Sequence, residues 1–511
     1  AHRGTYTTQA RTKRGNRMCE LALRETELWG GVAGALKGYR YPAAEFEGLW
    51  KDVLLNQFHD IIPGSSIERV YQEAEALHAS VLRRVGVLQA KARASLVTRR
   101  QGAVTVFNSL SWRRTELVQL PHGWKGAVGM DGTALPVQAI GKDHFAEVSV
   151  PSCGWTTITS GPASGTTGRV VATPILLEND QVRARINDRG EIISLVDKAS
   201  GRELAAGPLN ALRMYRDTPR NFEAWDIDSN YTTQPVALES KARIRVLATG
   251  PLVGVLLVER TIGKSRLTQE IRLRRGSRRI EFGTVMDWRE KHKLLKVNFP
   301  TAIHADEAVH EIQFGHIRRP NHKSRPFDAD RFEVCNQKWT ALCEENRGVA
   351  VLNDCKYGVN VDGGSINLTL LRSSLAPDAH ADQGRQEFTY AFQAWNGSFF
   401  DTGVVRESYE LNVSCTVAEG SAGEESVFSV DVPNVVIETV KPAEDGSGDL
   451  VVRLYEAKRT ATTCALETSL QVKQAVETNL LEEKIRPVAC HSGRIALSFR
   501  PFEIKTLRLR L

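Results

Sequence analysis

The chain has 511 residues, more than one hydrophobic core usually serves, so several domains are expected. With 41% hydrophobic and 25% charged residues, its composition is that of an ordinary globular protein. The net charge of +7 is dispersed along the chain, which excludes a concentrated basic arm for nucleic acid. No apolar run is long enough to span a membrane, and the N-terminal sequence has no apolar signal core.

The eight cysteines include no Cys-x-x-Cys pair. This pattern favours free thiols in a reducing compartment over a zinc knuckle or a disulfide framework. Because no export signal is visible either, we expect a cytoplasmic protein that engages neither membranes nor nucleic acid.

Residues 1 to about 97 are predicted to form three helices. The first is followed by a loop that ends at Pro42. In the second helix Leu49, Val53 and Leu54 recur at helical spacing, and the Pro-Gly pair at 63–64 stops it.

The third helix is predicted over residues 66–96. Ser65 begins it, with Glu68 three residues on as the partner of a capping box. One stripe of the helix is apolar, which is typical of a core face in a small three-helix bundle. The stripe consists of Val70, Ala74, Leu77, Val81 and Val85.

From about residue 103 the hydrophobic period changes from helical to two. Short β-branched runs separated by Gly, Asn, Asp and Pro predict antiparallel sandwiches to the end of the chain. The run 182–186 and the run 192–195 flank Asp188-Arg189-Gly190, which predicts a hairpin.

The fold class is therefore α+β and multidomain, an N-terminal three-helix bundle followed by antiparallel β-sandwich domains. The predicted domains are the bundle at 1–97, a small sandwich at 98–168, a large sandwich at 169–434 and a small terminal sandwich at 435–511.

One pair of residues near the end of the second helix could carry chemistry. His59 and Asp60 place an imidazole beside a carboxylate just before the 63–64 turn, and such a pair can bind a metal or a substrate hydroxyl. The alternative from spacing alone is a capping histidine and a surface aspartate.

The wording of residues 50–64 resembles the central-domain signature of the family 38 α-mannosidases, in its bacterial and cytosolic form. Residues 2–9, His-Arg-Gly-Thr-Tyr-Thr-Thr-Gln, resemble the stretch that leads from the catalytic barrel of that family into its central bundle. Further phrases of the family follow in order through the β region. They are residues 177–179, 221–228, 287–290, 293–296, 319–322, 331–334, 353–358 and 370–373.

This resemblance implies a retaining, metal-dependent α-mannosidase that hydrolyses terminal α-mannosyl residues. His59 would be a ligand of the metal, zinc or alternatively cobalt, and Asp60 would contact the sugar. Tyr6 would face the sugar, although it could equally only pack. The substrate would be an α-mannoside or an oligosaccharide, and an enzyme of the same architecture acting on another α-linked sugar stays open.

In the family both catalytic carboxylates and the other three metal ligands lie in an N-terminal barrel, upstream of the stretch at 2–9. We therefore expect no catalytic residue in this chain and no activity from it alone. The bundle face that the barrel would cover favours association, so a homo-oligomer is also open.

Acids of the β region are further candidates for catalytic groups. Trp225 beside Asp226 is the best candidate for a sugar subsite, because an aromatic ring next to a carboxylate suits carbohydrate; turns and solvated strand faces are the alternative. A competing hypothesis from another class is a non-catalytic carbohydrate-binding or structural β-sandwich protein. It explains the composition but not the survival of the phrase at 57–60.

Overall fold

The computed structural model describes residues 2–165 and 168–511. Helices fill the first hundred residues, and antiparallel strands dominate the rest. The predicted α+β multidomain class is confirmed. No helix in the described ranges is long and apolar enough to cross a membrane. All eight cysteines, each within those ranges, are unpaired.

Three helices pack together at the N-terminal end. They are α1 (Ala10–Lys37), α2 (Ala43–Asn56) and α3 (Glu68–Leu96), and a 3-10 turn at Arg3–Tyr6 precedes them. Their shared core comes from residues at helical spacing, so each helix turns one apolar stripe inward. The core residues are Cys19, Leu23, Phe46, Leu49, Val53, Val81, Val85 and Leu88.

The capping box expected at Ser65 and Glu68 is wrong. α3 begins at Glu68, after an N-cap at Ile67 that makes no side-chain capping bond. Tyr71 reaches back from the first turn, and its hydroxyl accepts a hydrogen bond from the backbone N–H of Ser66 at 2.7 Å. The loop donor is therefore satisfied from inside the helix, and the Ser65 hydroxyl lies buried without a partner among the described residues.

The first β region contains two facing sheets. One consists of Thr416–Glu419, Ala103–Asn108, Gly154–Ser160 and Glu424–Ser426 in that order, with Ala127–Val128 also on Gly154–Ser160. The other consists of Arg114–Gln119, Asp143–Val150 and Val137–Ile140. Two strands of the first sheet, Thr416–Glu419 and Glu424–Ser426, thus come from a part of the chain about 300 residues later, which ties the regions together.

The large β region is built on a nine-stranded and a six-stranded sheet. The nine strands, in order, are Arg243–Ala248, Val253–Ile262, Ser265–Arg274, Arg279–Trp288, Gly384–Asn396, Arg347–Asn353, Trp339–Cys343, Glu307–Ile312 and Gly315–Pro320. The six strands are Pro235–Val236, Ala211–Arg216, Lys293–Pro300, Ser365–Arg372, Gly358–Asp362 and Val334–Cys335. Two short helices, Pro326–Ala329 and Val404–Asn412, lie among these strands.

A five-stranded sheet completes the large region. Its strands are Arg202–Glu203, Ile192–Asp197, Val182–Ile186, Leu176–Glu178 and Val171–Thr173. The predicted hairpin around residues 188–190 is confirmed, since Val182–Ile186 pairs antiparallel with Ile192–Asp197. Gly190 takes a φ of 78°, a conformation that suits glycine in a tight turn.

The terminal β region has two more sheets. The five-stranded one is Val435–Pro442, Leu450–Glu456, Ile504–Arg510, Gln474–Thr478 and Lys484–Val488. The three-stranded one is Phe428–Val430, Thr462–Thr468 and Arg494–Phe499. The hydrophobic core between these two sheets also includes Trp29 and Val32 of α1, so the helices and the terminal sandwich pack as one body.

The buried His78 of α3 gives the fold a pH dependence. Its ring is 2% exposed, neither ring nitrogen has a partner in the described structure, and burial lowers its pKa to about 4. Between pH 6.5 and pH 4 the unfolded chain binds a proton here that the folded chain does not. The contribution of the neutral His78 to stability is therefore fully present above pH 6.5 and is lost as the pH drops towards 4.

We expect this residue alone to remove about 2 kcal/mol of unfolding free energy between pH 6.5 and pH 5. His78→Leu should remove this pH dependence from the free energy of unfolding measured by urea denaturation. The same change at the exposed His122 should leave the pH dependence as it is in the parent. An unaltered slope in His78→Leu would contradict the assignment.

Candidate functional site

The His59–Asp60 pair lies in the turns that follow α2, three residues beyond the end of the helix at Asn56. Both side chains face solvent, with exposed fractions of 77% and 52%, and His59 Nε2 lies 3.3 Å from Asp60 Oδ2. The ring of Phe58, also exposed, lies 4.3 Å from the imidazole. The imidazole and the carboxylate are thus presented outward, where a further group can reach both.

The loop that carries this pair is fastened to the N-terminal segment. The buried ammonium of Lys13 donates to the carbonyl oxygens of Thr8 and, at 2.8 Å, of Ile62. Burial lowers the pKa of Lys13 to about 7, an effect that the carboxylate of Asp382 partly opposes. On the other side of the loop the Tyr71 hydroxyl lies 3.3 Å from the Asp60 carbonyl. The exposed pair therefore stands on a constrained backbone.

Gly64 closes the same loop against Thr8. Its φ is +90°, and an added Cβ would lie 2.4 Å from the Thr8 carbonyl oxygen. An L-residue is strained there, and backbone cannot yield as a flexible side chain would.

Gly64→Ala should therefore lower the free energy of unfolding by roughly 1–3 kcal/mol. Gly86 of α3 is the matched control, because a Cβ there meets nothing within 4 Å. Gly86→Ala should raise stability by about 0.5–1 kcal/mol through helix propensity. Urea denaturation of both variants checks the pair, and a Gly64→Ala protein as stable as the parent would show that the loop adapts freely.

Tyr6 lies in the 3-10 turn and is half-buried. Burial is the largest influence that raises the pKa of its hydroxyl, followed by the neighbouring Cys335. The ring lines the same cleft as Ile62 and Pro63 of the loop after His59. Tyr6 is thus adjacent to that loop, as an aromatic residue on its border.

Trp225 and Asp226 are brought against the same N-terminal turn. The backbone N–H of Gly4 donates to the Trp225 carbonyl at 2.8 Å. The Asp226 carboxylate accepts from the backbone N–H of Arg3 at 3.5 Å and from that of Ile227 at 3.0 Å. Trp225 is half-buried. Residues far apart in sequence thus meet around the 3-10 turn.

One buried arginine, Arg372, links these pieces. Its Nε lies 2.5 Å from Asp217 Oδ2, and its Nη1 donates to Thr8 Oγ1 at 3.1 Å and to the Ala224 carbonyl at 2.9 Å. Nη2 donates to the Asp226 carbonyl. Its side chain is fully buried, as is that of Asp217. Thr8, which receives Lys13 on one side and Arg372 on the other, therefore joins the His59 loop to the Trp225 segment.

Sequence reasoning missed a second group of ligand-type side chains. Glu68, Asp378 and His380 bring one ligand atom each within 4.8 Å of the others, and His380 Nδ1 lies 3.0 Å from Glu68 Oε2. The Asp-x-His spacing at 378–380 was the available signal. Asp378 already accepts from Gln9 Nε2 at 2.6 Å and from the His380 N–H at 2.8 Å, so the group serves as a hydrogen-bonded tie.

Three histidines of the β region make separate contacts. His292 pairs with Glu223 at 2.6 Å, and His316 is buried with Nδ1 3.3 Å from the Ala457 carbonyl. The nearest charged partner of His322 is Asp328, at 3.9 Å. These three rings do not share a ligand set.

The donor set of the exposed pair fits part of a zinc shell. Catalytic zinc takes three protein ligands from imidazole and carboxylate groups and keeps one position open. His59 and Asp60 supply at most one imidazole and one carboxylate at this loop. The other ligands of a tightly held ion would have to come from residues outside this group.

Three family models match the chain in order. "Alpha mannosidase middle domain" matches residues 1–96, "Glycosyl hydrolases family 38 C-terminal domain" residues 177–380, and "Glycosyl hydrolases family 38 C-terminal beta sandwich domain" residues 434–507. The bounds of the first and third lie close to the helical and the terminal β region.

Curated relatives match over the whole chain. Human "Alpha-mannosidase 2C1" is 37% identical over 535 residues, covering 100% of this chain and 50% of the human protein. "Alpha-mannosidase G" of Dictyostelium discoideum is 32% identical, covering 99% of this chain and 52% of its own length. The chain thus spans about half the length of the curated relatives it matches.

The fold recurs in a solved structure. An α-mannosidase of Enterococcus faecalis V583 superposes with a TM-score of 0.84 at 18% identity, over 99% of this chain and 68% of that one. That likeness extends through the helices and the β regions alike. With the three domain models in order and relatives at 37% and 32% identity, the chain belongs to glycoside hydrolase family 38 and carries its middle and C-terminal domains.

Proposed function

We propose that the protein to which this chain belongs is a metal-dependent, retaining α-mannosidase that removes terminal α-mannosyl residues. The observation that carries the proposal is the His59–Asp60 pair, exposed on a loop that Lys13 and Gly64 hold in place. A family whose relatives are named α-mannosidases gives the reaction class.

His59 would be the ligand that this chain contributes to a divalent metal, with zinc as the first choice and cobalt as the second. Imidazole suits both ions. A bound divalent metal supplies Lewis acidity and a grip on vicinal sugar hydroxyls. The rigid loop would fix the direction of the imidazole before the ion binds, so little ordering remains to be done on binding.

Asp60 would accept hydrogen bonds from sugar hydroxyls beside the metal. Tyr6 would pack against the apolar face of a sugar ring, with its hydroxyl left to hydrogen-bond. Trp225 and Asp226 would line a further part of the same surface. All four would bind and orient substrate, and none would be a nucleophile or an acid.

A retaining glycosidase needs two carboxyl groups about 5 Å apart across the scissile bond. We propose that both lie in the half of the parent protein that this chain does not include. The 511-residue chain alone would then be inactive. The parent would act on mannosides or oligosaccharides in the cytoplasm, and nucleic acid and membranes would not be partners.

The test compares aryl glycosides on a protein that contains this chain together with the family's N-terminal region. Aryl α-mannoside should be hydrolysed in the presence of zinc or cobalt, with retention of configuration by NMR. Aryl α-glucoside and α-galactoside should be far poorer substrates. Preference for one of those sugars, or activity that survives removal of all metal, would reject the proposal.

A further inference from the structure

The face of α1 that looks toward the β regions is charged, although it is largely buried. Lys13, Arg17, Glu20, Arg24 and Glu27 recur at intervals of three and four residues, so they share one side of the helix. All five line a single cleft of about 730 Å³. Lys13 and Glu27 lie 14 positions apart, which is about 21 Å along a helix.

The cleft begins beside the proposed mannose site. Tyr6, Ile62 and Pro63 line it near the His59 loop, while Thr439 and Tyr455 of the terminal sandwich line it elsewhere. Its volume lies within the range of about 300–1,000 Å³ typical of ligand sites. It is therefore a long groove that leads away from the loop between α1 and the sheets.

The charges in the groove balance, which decides against an ionic ligand. Glu20 opposes Arg17 along the helix, and on the facing wall Lys338 pairs with Glu311 at 2.9 Å. Arg17 bonds to neutral oxygens of Tyr357 at 3.1 Å and of Asn412 at 3.1 Å. A phosphate would meet carboxylates as well as cations, and an apolar ligand would bury polar groups without partners.

The groove also carries amide, hydroxyl and carboxylate groups, which are types of group that can hydrogen-bond to sugar hydroxyls. Gln57 donates to Asn16 at 3.0 Å and to Glu20 at 2.8 Å, so amide and carboxylate groups lie side by side on the wall of the cleft. The Tyr409 hydroxyl bonds to Glu438 and lies 3.1 Å from that of Tyr455. A polyhydroxyl ligand can both donate to and accept from such groups.

We propose that this cleft binds a neutral oligosaccharide, the part of an extended mannoside substrate that lies beyond the mannosyl unit at the His59 loop. The proposal rests on the proposed α-mannosidase function for the identity of the sugar. The groove chemistry alone requires only a neutral polyhydroxyl chain. The cleft would favour oligosaccharides over simple mannosides, because only the longer ligand reaches it.

The test is calorimetric titration of the 511-residue chain with α-linked mannotetraose. Leu21 lines the cleft and is half-buried, so Leu21→Trp should fill it. Leu36→Trp on the exposed side of the same helix is the matched control. Gln313→Trp at the exposed rim gives a second block that does not disturb the core. Thermal unfolding reports that each variant is folded.

We expect either blocking variant to weaken binding by about tenfold or more, a loss of ~1.4 kcal/mol. Leu36→Trp should bind as the parent does. Methyl α-mannoside and a charged oligogalacturonate should bind poorly. No binding of mannotetraose by the parent chain, or binding by both blocking variants that is as tight as that of the parent, would overturn the cleft assignment.

Failure of the cleft and failure of the proposed function are distinguishable. In the protein that includes the N-terminal region, the blocking variants should retain hydrolysis of a small aryl α-mannoside while losing activity on mannotetraose. If the aryl mannoside is not a substrate at all, the proposed function fails, whereas tetraose binding by the 511-residue chain still decides the cleft.

Discussion

Replacing Arg372 with methionine should lower the free energy of unfolding by about 3–5 kcal/mol. This is the largest effect that we expect from any substitution where the N-terminal turn meets the segment of Trp225 and Asp226. The guanidinium is fully buried and bonds to Asp217, Thr8, Ala224 and Asp226. Methionine fills similar space but leaves the Asp217 carboxylate buried without its cation. Burial already raises the pKa of that carboxyl, and Arg372 is what opposes the shift.

Urea denaturation measures the loss, and two further variants identify its cause. Asp217→Asn combined with Arg372→Met should recover part of the stability, because the stranded charge is gone. Arg245→Met removes an arginine from the exposed ion pair with Glu259 and should cost less than about 1 kcal/mol. If Arg372→Met proves no worse than Arg245→Met, the buried linkage is not what holds the segments.

Replacing His59 with alanine should reduce kcat/KM on an aryl α-mannoside by about 10³-fold or more, equivalent to ~4 kcal/mol, in the protein with its N-terminal region present. The loss should come with a loss of bound zinc measured by elemental analysis. Because the side chain is 77% exposed, stability should change by less than about 0.5 kcal/mol. Activity and folding are thereby separated at one residue.

The neighbouring change Asp60→Asn should behave differently. It removes the charge that we propose contacts the sugar but leaves the imidazole, so zinc should be retained while kcat/KM falls. His122→Ala, at an exposed histidine of the small sandwich, should be silent in both measurements. Full zinc content in His59→Ala would remove the imidazole from the ligand shell.

Hydrophobic periodicity predicted the buried residues of the helices where the apolar residues lie on one face only. Leu49 and Val53 lie four apart and are both buried in the core. The apolar pattern groups Leu54 with them, yet Leu54 is 56% exposed, because the residue directly after Val53 lies about 100° round the helix. Hydrophobicity alone does not identify the buried side of a helix with apolar residues on two faces.

The prediction of a capping box at the start of α3 was wrong for a local reason that no sequence motif shows. The Ser65–Glu68 spacing matches a capping box. In the structure, however, the helix begins at Glu68, and the Tyr71 hydroxyl accepts the hydrogen bond of the Ser66 backbone N–H. A tyrosine one turn inside a helix has no strong rule attached to it. Glu68 is then free of the cap and pairs with His380, more than 300 residues away.

One part of the candidate site could be predicted from local sequence, and the other part could not. The wording around His59 and Asp60 predicted the pair and its position near a turn, because that information lies in adjacent residues. The support was not predictable: Lys13 joins Thr8 to Ile62, and Arg372 joins Thr8 to Ala224. Such contacts depend on which strands become neighbours, and no local pattern carries that.

The measurement that most directly tests the central claim is hydrolysis of an aryl α-mannoside with added zinc or cobalt by two proteins, the 511-residue chain and the same chain joined to the N-terminal region of its family. We predict that only the longer protein is active and that His59→Ala abolishes its activity. Hydrolysis by the 511-residue chain alone would contradict the account, since it would place the catalytic carboxylates among its own residues.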